Sequence, residues 1–382
     1  MRELTLLAGC RNGVLLLLRW LLMPLLALLL LLALILAISA KPDLYAGYQQ
    51  GSAYFASNGE LLSLRLAPDQ RYRLKLPLTD IAPVLQQATL LYEDRDFYQH
   101  YGVDVTAIAR AFWQGVVLKG RRQGASTISM QLARLRFELN TSKMTGKLQQ
   151  LAYALYLERH FSKDELLQAY FNYAPYGGNI EGVAAASLIY FGKEARELTL
   201  PEALALSVIP QNPNQRSPLS KKGQQQLELA RQRLTAIWQQ HKPVSKEAGQ
   251  PRPLDLPLQY LTRADIPQQA PHFINQLRQQ GQLQGHFYTS LQLPLQQRFE
   301  RQLTGYLKRQ QSKGLNNASV LLIKRSTLQV KAWLGSADFN SQVIAGQVDG
   351  VTAARSPGSA LKPFVYALAL QQGLIQIGRA HV

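Results

Sequence analysis

The sequence predicts a mostly α-helical protein, with an apolar helix at its N-terminus and the beginning of an α+β domain at its C-terminus. Three observations support this prediction. Residues 20–40 carry no charge and are dominated by leucine. From residue 79 to about residue 240, apolar side chains recur mainly at helical spacing. After residue 270, two β-rich runs flank a short turn and precede one helix-like run. At 382 residues, 47% of them hydrophobic, the chain is long enough for about two or three domains.

The N-terminal segment has the length and charge pattern of a transmembrane anchor. At about 1.5 Å per residue, Trp20–Ala40 is long enough to span the hydrocarbon core of a bilayer. Three arginines and a single acid precede it. This excess predicts that residues 1–19 are cytoplasmic and that the chain from Lys41 onward lies outside the membrane. A cleaved signal peptide is the alternative, because Ala37–Ala40 resembles a cleavage site, but the apolar run is longer than such peptides have.

The formal net charge of +18 indicates an anionic partner. Nucleic acid and an anionic lipid surface are the two candidates. The sequence has no zinc-finger spacing, helix-turn-helix signal or aromatic ribonucleoprotein motif, and its basic residues are scattered, so we expect no nucleic acid. The apolar anchor favours the lipid surface. Cys10 is the only cysteine, which excludes an intrachain disulfide.

Residues 41–78 are predicted to be a short β and linker segment. Within it, Tyr54–Leu64 and Tyr72–Leu76 are rich in strand formers and lie around the turn signals Asn58-Gly59 and Pro68-Asp69. Residues 79–240 then form one mostly α domain.

Two helix starts in this domain have local signals. Ser162–Glu165 has the pattern of a capping box, and Pro201 suits a first helical turn.

The C-terminal part changes character. Residues 241–270 are rich in proline and poor in apolar periodicity, which indicates a linker. Residues 271–382 begin a second domain. In it, Ala318–Lys324 and Gln329–Leu334 are predicted to form a hairpin, and Leu361–Gln372 a helix.

The densest polar stretch is Glu93–Asp104, between the apolar-periodic segments Ile81–Tyr92 and Val105–Leu118. A carboxylate in such a helix-flanked cleft is shielded from water, which raises its pKa and suits general acid–base catalysis. The alternative is a solvated helix end whose charges pair with one another.

A second stretch, Gly124–Arg134, has the residues of a phosphate site. Ser126 or Thr127 can cap a helix, whose free N–H groups and dipole favour phosphate. Gln131, Arg134 and Glu138 are predicted to share one face of that helix. An ordinary capped amphipathic helix is the alternative.

A third stretch, Lys147–Glu158, places one polar face beside a leucine stripe. This face either lines a cleft or faces solvent, and its members are Lys147, Gln150, Ala154 and Glu158.

A fourth stretch has Ser359 and Lys362 in a Ser-x-x-Lys pattern at a helix start. This spacing puts both side chains on one face, where an amine can activate a hydroxyl nucleophile.

Together these stretches resemble the class A penicillin-binding proteins, which join a family 51 glycosyltransferase domain to a transpeptidase domain. The signature Glu-Asp-Arg-x-Phe-x-x-His-x-Gly occurs at residues 93–102, and Gly-x-Ser-Thr-Ile-x-x-Gln-Leu at residues 124–132. Residues 172–214 are also similar to the family, and Ser359 and Lys362 match its acylation motif.

The resemblance implies a lysozyme-like, mostly α glycosyltransferase domain followed by a truncated transpeptidase domain. It implies that Glu93 is the general base of glycan polymerisation, that Ser359 is the acyl-ester nucleophile and that Lys362 is its base. Gln150 occupies the position of the second glutamate of the family. The substrate-binding residues that the resemblance implies are Asp94, Arg95, His100, Ser126, Thr127, Gln131, Arg134 and Lys147.

The same resemblance implies the partners. These are lipid II, the growing glycan strand, the bacterial inner membrane and, in the full-length family, β-lactams; the catalytic domains would lie in the periplasm. A divalent cation, Mg²⁺ or Mn²⁺, is an optional cofactor, and we expect no other. Two alternatives stay open: a muramidase-like hydrolase that uses Glu93 as an acid, and a non-enzymatic scaffold of cell-wall assembly.

The sequence departs from the family pattern in two places. Gln150 can donate and accept hydrogen bonds but cannot act as a base or a strong metal ligand. We expect Glu158, two turns away on the same face, to be the residue able to compensate. The second departure follows Lys362, where neither a Ser-x-Asn-type motif nor a Lys-Thr-Gly strand occurs. We therefore expect the sequence to be a fragment without a working transpeptidase pocket.

Overall fold

The structure is a computed structural model that describes residues 38–104, 106, 126–241, 254, 257–281 and 284–375, together with Met23 and Ala27. The predicted anchor lies almost wholly outside the described residues, as does most of the predicted helix from Val105 to Leu118. Within the described part of the chain, no helix combines the length and apolarity that crossing a membrane requires.

The described chain is mostly helical and has small sheets. Its helices, in chain order, are α1 (Pro83–Glu93), α2 (Ile128–Arg136), α3 (Met144–His160), α4 (Lys163–Tyr173), α5 (Val183–Phe191), α6 (Leu200–Val208), α7 (Lys221–His241), α8 (Pro271–Gln279), α9 (Leu293–Gln310) and α10 (Lys362–Gln371). Its strands are β1 (Ser52–Phe55), β2 (Leu61–Arg65), β3 (Tyr72–Arg73), β4 (Pro175–Gly177), β5 (Ile180–Glu181), β6 (Gly285–Tyr288), β7 (Val320–Lys324) and β8 (Gln329–Leu334). Short 3₁₀ turns lie at Leu78–Asp80, Ala195–Glu197, Arg263–Asp265, Gln311–Lys313 and Gly358–Leu361.

Two compact units are present. The first holds the described residues up to 53, then 64–266 and 284–286, and the second holds 54–63, 267–283 and the residues from 287 onward. The core of the first unit is helical. Residues 183–190 of α5 are all buried, and so are residues 202–208 of α6. A helix that is apolar all round is stable only when it is surrounded by other elements, so α5 forms the centre of this unit.

Local signals correctly predicted several helix starts in the first unit. Ser162 caps α4, and its hydroxyl and the side chain of Glu165 exchange hydrogen bonds with each other's backbone N–H groups. Pro201 lies in the first turn of α6. These starts depend on residues within one turn of each other, which is why the sequence alone reveals them.

The predicted strand Tyr72–Leu76 is shorter in the structure, where β3 covers only Tyr72 and Arg73. Its residues pair in parallel with Ile180 and Glu181 of β5. Beyond β3, the Leu76 backbone exchanges hydrogen bonds with the Asn172 side chain instead of a strand: its N–H donates to Asn172 Oδ1 at 2.9 Å, and its carbonyl accepts from Nδ2 at 2.9 Å. The buried side-chain amide of Asn172 therefore makes the hydrogen bonds that a neighbouring strand would otherwise make with Leu76.

One predicted helical face is wrong. Helix α2 ends at Arg136, and Glu138 has a φ of 50° in the left-handed region. Glu138 therefore does not continue the face that carries Gln131 and Arg134.

The second unit contains the predicted hairpin. Strands β7 and β8 are antiparallel, with Val320 opposite Leu334 and Lys324 opposite Gln329. Leucines of α9 pack on the hairpin and form a small core with Ala332 and Leu334. Strands β2, β1 and β6 form a three-stranded sheet in that order.

Helix α10 confirms the predicted helix near Leu361–Gln372, and it has no buried residue.

Candidate active site

Glu93 is the last residue of α1, and its two carboxylate oxygens have different surroundings. Oε2 accepts a hydrogen bond from Gln131 Nε2 of α2 at 2.8 Å. Oε1 is buried and has no hydrogen-bond partner among the described residues. The carboxyl is thus held through Oε2, and Oε1 keeps its capacity to accept a hydrogen bond or a proton.

Burial raises the pKa of Glu93 above its ordinary value. The hydrogen bond from Gln131 and the positive charges of Arg216 and Arg134 oppose this rise, while the neighbouring Asp94 carboxylate adds to it. A carboxyl with a raised pKa holds a proton more strongly after accepting it, which is what general acid–base catalysis requires.

Asp94 joins the first and second sequence stretches. Its buried carboxylate accepts from the backbone N–H of Ile128, the first residue of α2, at 2.9 Å. It also contacts His100 Nε2 at 3.0 and 3.1 Å. The N–H of Gly102 donates to His100 Nδ1 at 3.1 Å, so the imidazole carries its proton on Nε2 and donates it to Asp94. A negative charge at a helix N-terminus is stabilising, and here it fixes α2 beside Glu93.

Thr127 is the capping residue of α2, a choice that the sequence left open between Ser126 and Thr127. Its hydroxyl accepts from the Met130 N–H at 3.2 Å and donates to the Gly102 carbonyl at 2.6 Å. Gly102 has a φ of 85°, and a Cβ there would lie 2.9 Å from Glu158 Cγ. Only glycine therefore fits this approach.

Gln150 lies on α3 and is buried. Its Nε2 donates to the Met130 carbonyl at 2.8 Å. Helix α3 therefore buries its polar face at Gln150 and Ala154. Leu148 of the leucine stripe is instead 61% exposed.

Glu158, the acid expected to compensate for Gln150, is held by two side chains. Its Oε1 accepts from Ser129 Oγ and, at 2.7 Å, from Lys163 Nζ. Lys163 in turn donates to the His100 carbonyl at 2.6 Å. This carboxylate ties α3 to α2 and, through Lys163, to the loop after α1; its compensation for Gln150 stays a prediction.

The remaining predicted binding residues are more open. Arg95, Ser126 and Lys147 are exposed. Arg134 lines a cavity of about 510 Å³ at the C-terminal end of α2, together with Leu135 and Arg136. The cavity also contains two further arginines and two tyrosines, Arg71, Arg73, Tyr48 and Tyr173.

The sequence missed Arg216, which lies in the loop after α6. Its Nη1 donates to the hydroxyl of Tyr92 at 3.0 Å and to the Val208 carbonyl at 2.6 Å. Tyr92 precedes Glu93, and Arg216 follows residues 172–214, which resemble the family. No spacing rule connects positions so far apart in the chain, so this arrangement was not visible before folding.

The divalent cation that the sequence left optional remains a prediction. Mg²⁺ usually keeps several waters and binds through one or two carboxylates together with substrate phosphates, so it does not require a cluster of protein ligands. Among the described residues, no group of three or more histidine, cysteine, aspartate or glutamate side chains has the arrangement of a metal site. Gln150 uses its amide as a donor and Glu158 is engaged by Lys163, so neither offers a free anionic ligand beside Glu93.

Ser359 and Lys362 lie in the second unit, at the 3₁₀ turn before α10 and at its first residue. Both side chains are exposed. The described part of the chain therefore does not enclose them in a pocket.

Comparisons with known proteins agree with the geometry of the first unit. Residues 58–242 match the family model described as Transglycosylase. Penicillin-binding protein 1C of Escherichia coli (strain K12) is 34% identical over 311 residues, which are 80% of this chain and 39% of that protein. Penicillin-binding protein 2D of Bacillus subtilis (strain 168) is 29% identical over 349 residues, or 86% of this chain and 48% of that protein.

Penicillin-binding protein 1F of the same Bacillus strain is 28% identical over 320 residues, 78% of this chain and 43% of that protein. The chain thus spans less than half the length of these relatives. Residues 58–242 carry the matched domain and contain Glu93, Gln131 and Gln150. Residues 58–242 are the transglycosylase domain of this chain, and the chain belongs to the class A penicillin-binding-protein-like family.

Proposed function

We propose that this chain is a peptidoglycan glycosyltransferase that polymerises lipid II into glycan strands. The observation that carries the proposal is the half-buried Glu93 carboxyl, whose Oε2 is held by Gln131 and whose buried Oε1 has no hydrogen-bond partner among the described residues. The transglycosylase match covers this residue and the elements that position it.

In the proposed reaction, the 4-hydroxyl of the acceptor sugar attacks the anomeric carbon of the donor sugar. Glu93 Oε1 accepts the hydroxyl proton as the new C–O bond forms. The bond from the anomeric carbon to the pyrophosphate breaks, and its electron pair leaves with the polyprenyl pyrophosphate. Glu93 is the catalytic base, because its free oxygen can face the attacking hydroxyl.

The charges around the site suit the leaving group. Arg134 and the exposed Lys147 and Ser126 would hold the donor pyrophosphate, where fixed cations and donors stabilise developing negative charge. Asp94 and His100 act by positioning α2, since they bond each other and the helix N-terminus. Arg95 and Thr127 complete the binding set that the resemblance implies. No step of this scheme is routed through a metal ion.

The finer architecture is part of the same proposal. Residues 20–40 would anchor the chain in the inner membrane, with a lysozyme-like glycosyltransferase domain in the periplasm. Residues 271–382 would be the start of a transpeptidase domain in which Ser359 forms the acyl-ester and Lys362 takes its proton. β-Lactams would be ligands of that domain when its pocket is complete.

Product analysis tests the function. The chain, solubilised in detergent, is incubated with labelled lipid II, and polymer is separated from released sugars. We expect glycan polymer from the parent and almost none from Glu93→Gln. Glu60→Gln is the matched control, because Glu60 is an exposed glutamate in the turn between β1 and β2.

Released disaccharide without polymer would instead support the hydrolase alternative, and lipid II left unchanged by the parent would support the scaffold alternative. The topology has its own test: protease added to spheroplasts should digest the chain beyond about residue 41, while Met1 is retained. A mature N-terminus at Lys41 would contradict the anchor.

A further inference from the structure

The connecting segment, Ser39–Tyr48, begins at the end of the predicted anchor and leads toward β1 along the surface of the first unit. Ser39 Oγ lies 3.0 Å from His160 Nε2. The Ala40 carbonyl accepts a hydrogen bond from the Tyr156 hydroxyl at 2.7 Å. His160 and Tyr156 both belong to the C-terminal part of α3. The chain therefore leaves the predicted anchor beside the last turns of α3.

The middle of the connecting segment is bonded to the C-terminal end of α2. Arg136, the last residue of α2, donates through Nε to the Leu44 carbonyl at 2.8 Å and through Nη2 to the Asp43 carbonyl at 3.0 Å. The hydroxyl of Tyr173, the last residue of α4, donates to the same Leu44 carbonyl at 3.1 Å. Hydrogen bonds from a guanidinium are charge-assisted and stronger than those between neutral groups. Arg136 is therefore the main attachment of the connecting segment to α2.

The last part of the connecting segment packs on α4 through two tyrosines. The Tyr48 hydroxyl donates to the Asn172 carbonyl at 3.1 Å, and the Tyr45 hydroxyl accepts from Asn172 Nδ2 at 3.1 Å. The Tyr45 ring also stacks on Tyr173, with the ring centroids 5.9 Å apart. The connecting segment is thus bonded to α2, α3 and α4 and does not have the contacts of a free linker.

The length of the connecting segment shows why these contacts matter. Ten residues of extended chain reach about 33–36 Å. The headgroup region of one leaflet is only about 5–8 Å thick. A polyprenyl pyrophosphate is held in that thin region, because its hydrocarbon chain is buried in the bilayer. A free segment would let the catalytic cleft take many heights above the membrane, and only a few of them meet the pyrophosphate.

We propose that Arg136 is a positioning residue that attaches the connecting segment to α2 and thereby sets the height of the catalytic cleft above the membrane. Helix α2 links the two, because it also carries Gln131, whose side chain holds Glu93. Arg136 therefore favours donors whose lipid chain is embedded in the membrane over water-soluble donors. The inference rests on the proposed function and its anchor, but the attachment itself is measurable without turnover.

The first test compares two donors for the full chain reconstituted in vesicles of phosphatidylglycerol and phosphatidylethanolamine. One donor is lipid II embedded in the same vesicles, and the other is a short-chain, water-soluble analogue. Arg136→Gln should lower polymerisation of the embedded donor about five- to tenfold and leave the rate with the soluble donor within about twofold of the parent. Arg136→Lys should recover part of the embedded rate, because lysine can still donate to one of the two carbonyls.

The second test is hydrogen exchange of the connecting segment in detergent. In the parent, the Tyr48 N–H donates to the Tyr45 carbonyl at 2.9 Å, and the Tyr45 N–H donates to Asp43 Oδ1 at 2.9 Å. Arg136→Gln should raise the exchange rate of both amides about ten- to a hundredfold, while the buried helix α5 keeps its rate. This result is expected even if the parent polymerises neither donor, which would refute the proposed function alone.

Arg233→Gln is the matched control, because Arg233 is exposed on α7 of the same unit. It should change neither the ratio of the two polymerisation rates nor the exchange of the segment. Tyr173→Phe removes only the hydroxyl that bonds Leu44, so it carries both tests, with smaller changes in the same direction, if Arg136→Gln does not fold. In a folded variant, an embedded-to-soluble rate ratio equal to that of the parent, or unchanged exchange of the two amides, would overturn the inference.

Discussion

Replacing Glu93 by glutamine separates the catalytic and structural consequences of one buried carboxyl. Glutamine has nearly the same size, and its carbonyl oxygen can accept the hydrogen bond that Gln131 now donates to Oε2. The variant lacks the carboxylate oxygen Oε1, which accepts a proton in the proposed reaction. General base catalysis contributes about 10²–10⁴-fold, so lipid II polymerisation should fall by that factor, which corresponds to about 3–5 kcal/mol of activation free energy.

The same variant should be more stable than the parent at neutral pH. Burial raises the pKa of Glu93, so the folded state binds a proton more strongly than the unfolded state does. The free energy of unfolding therefore falls as the pH rises through the interval between the unfolded and the folded pKa. A buried acceptor without a partner costs about 1–3 kcal/mol, and a neutral glutamine avoids the charged part of this cost.

Thermal unfolding measures the difference. At about 2–4 °C per kcal/mol for a unit of this size, the Tm of Glu93→Gln should exceed that of the parent by several degrees near pH 8. Below about pH 4 the carboxyl is protonated in both states, and the difference should disappear. Glu60→Gln should change neither Tm nor activity.

Activity equal to that of the parent would refute the assignment of Glu93 as the base. A lower Tm at neutral pH would refute the inference that the ionised carboxyl is destabilised by burial.

Four further predictions follow from the surroundings of Gln150, Asp94 and Ser359. Gln150→Ala should reduce activity by up to about tenfold, because it removes one neutral hydrogen bond to Met130. Gln150→Glu would place a carboxylate against the Met130 carbonyl, so the free energy of unfolding should fall by about 1–3 kcal/mol. We expect added Mg²⁺ not to restore the activity of this variant. A gain of activity with Mg²⁺ would contradict this expectation. Asp94→Asn should lower the free energy of unfolding by about 1.5–3 kcal/mol, since it weakens charge-assisted bonds to Ile128 and His100; an unchanged Tm would show that the link between these segments is dispensable. Ser359 should take up no fluorescent penicillin covalently in this chain, because its side chain is exposed; stoichiometric labelling would show a more complete pocket than the described residues form.

Some elements were predictable from the sequence because their signals are local. The capping box at Ser162 and the hairpin of β7 and β8 depend on residues within a few positions of each other, and both are in the structure. The strand Tyr72–Leu76 was predicted too long, because Asn172, far away in the chain, takes over the backbone groups of Leu76. Strand propensity depends only on the residues of the segment itself. It cannot account for a side chain, distant in the sequence, that bonds the backbone groups of that segment.

By itself, the sequence determined the family resemblance, the mostly helical class and the choice of Glu93 as the central residue, since motifs and periodicity are properties of the chain. Tertiary structure alone decided which groups surround that residue. Only packing of α2 against the end of α1 brings Gln131 to Glu93, and only the loop after α6 brings Arg216 to the hydroxyl of the neighbouring Tyr92. Packing also pairs the Glu158 carboxylate with Ser129 and Lys163, and the spacing along α3 did not predict these partners. Spacing along a helix defines which side chains share a face, but the partners that cover that face come from other elements and are known only when the chain is folded.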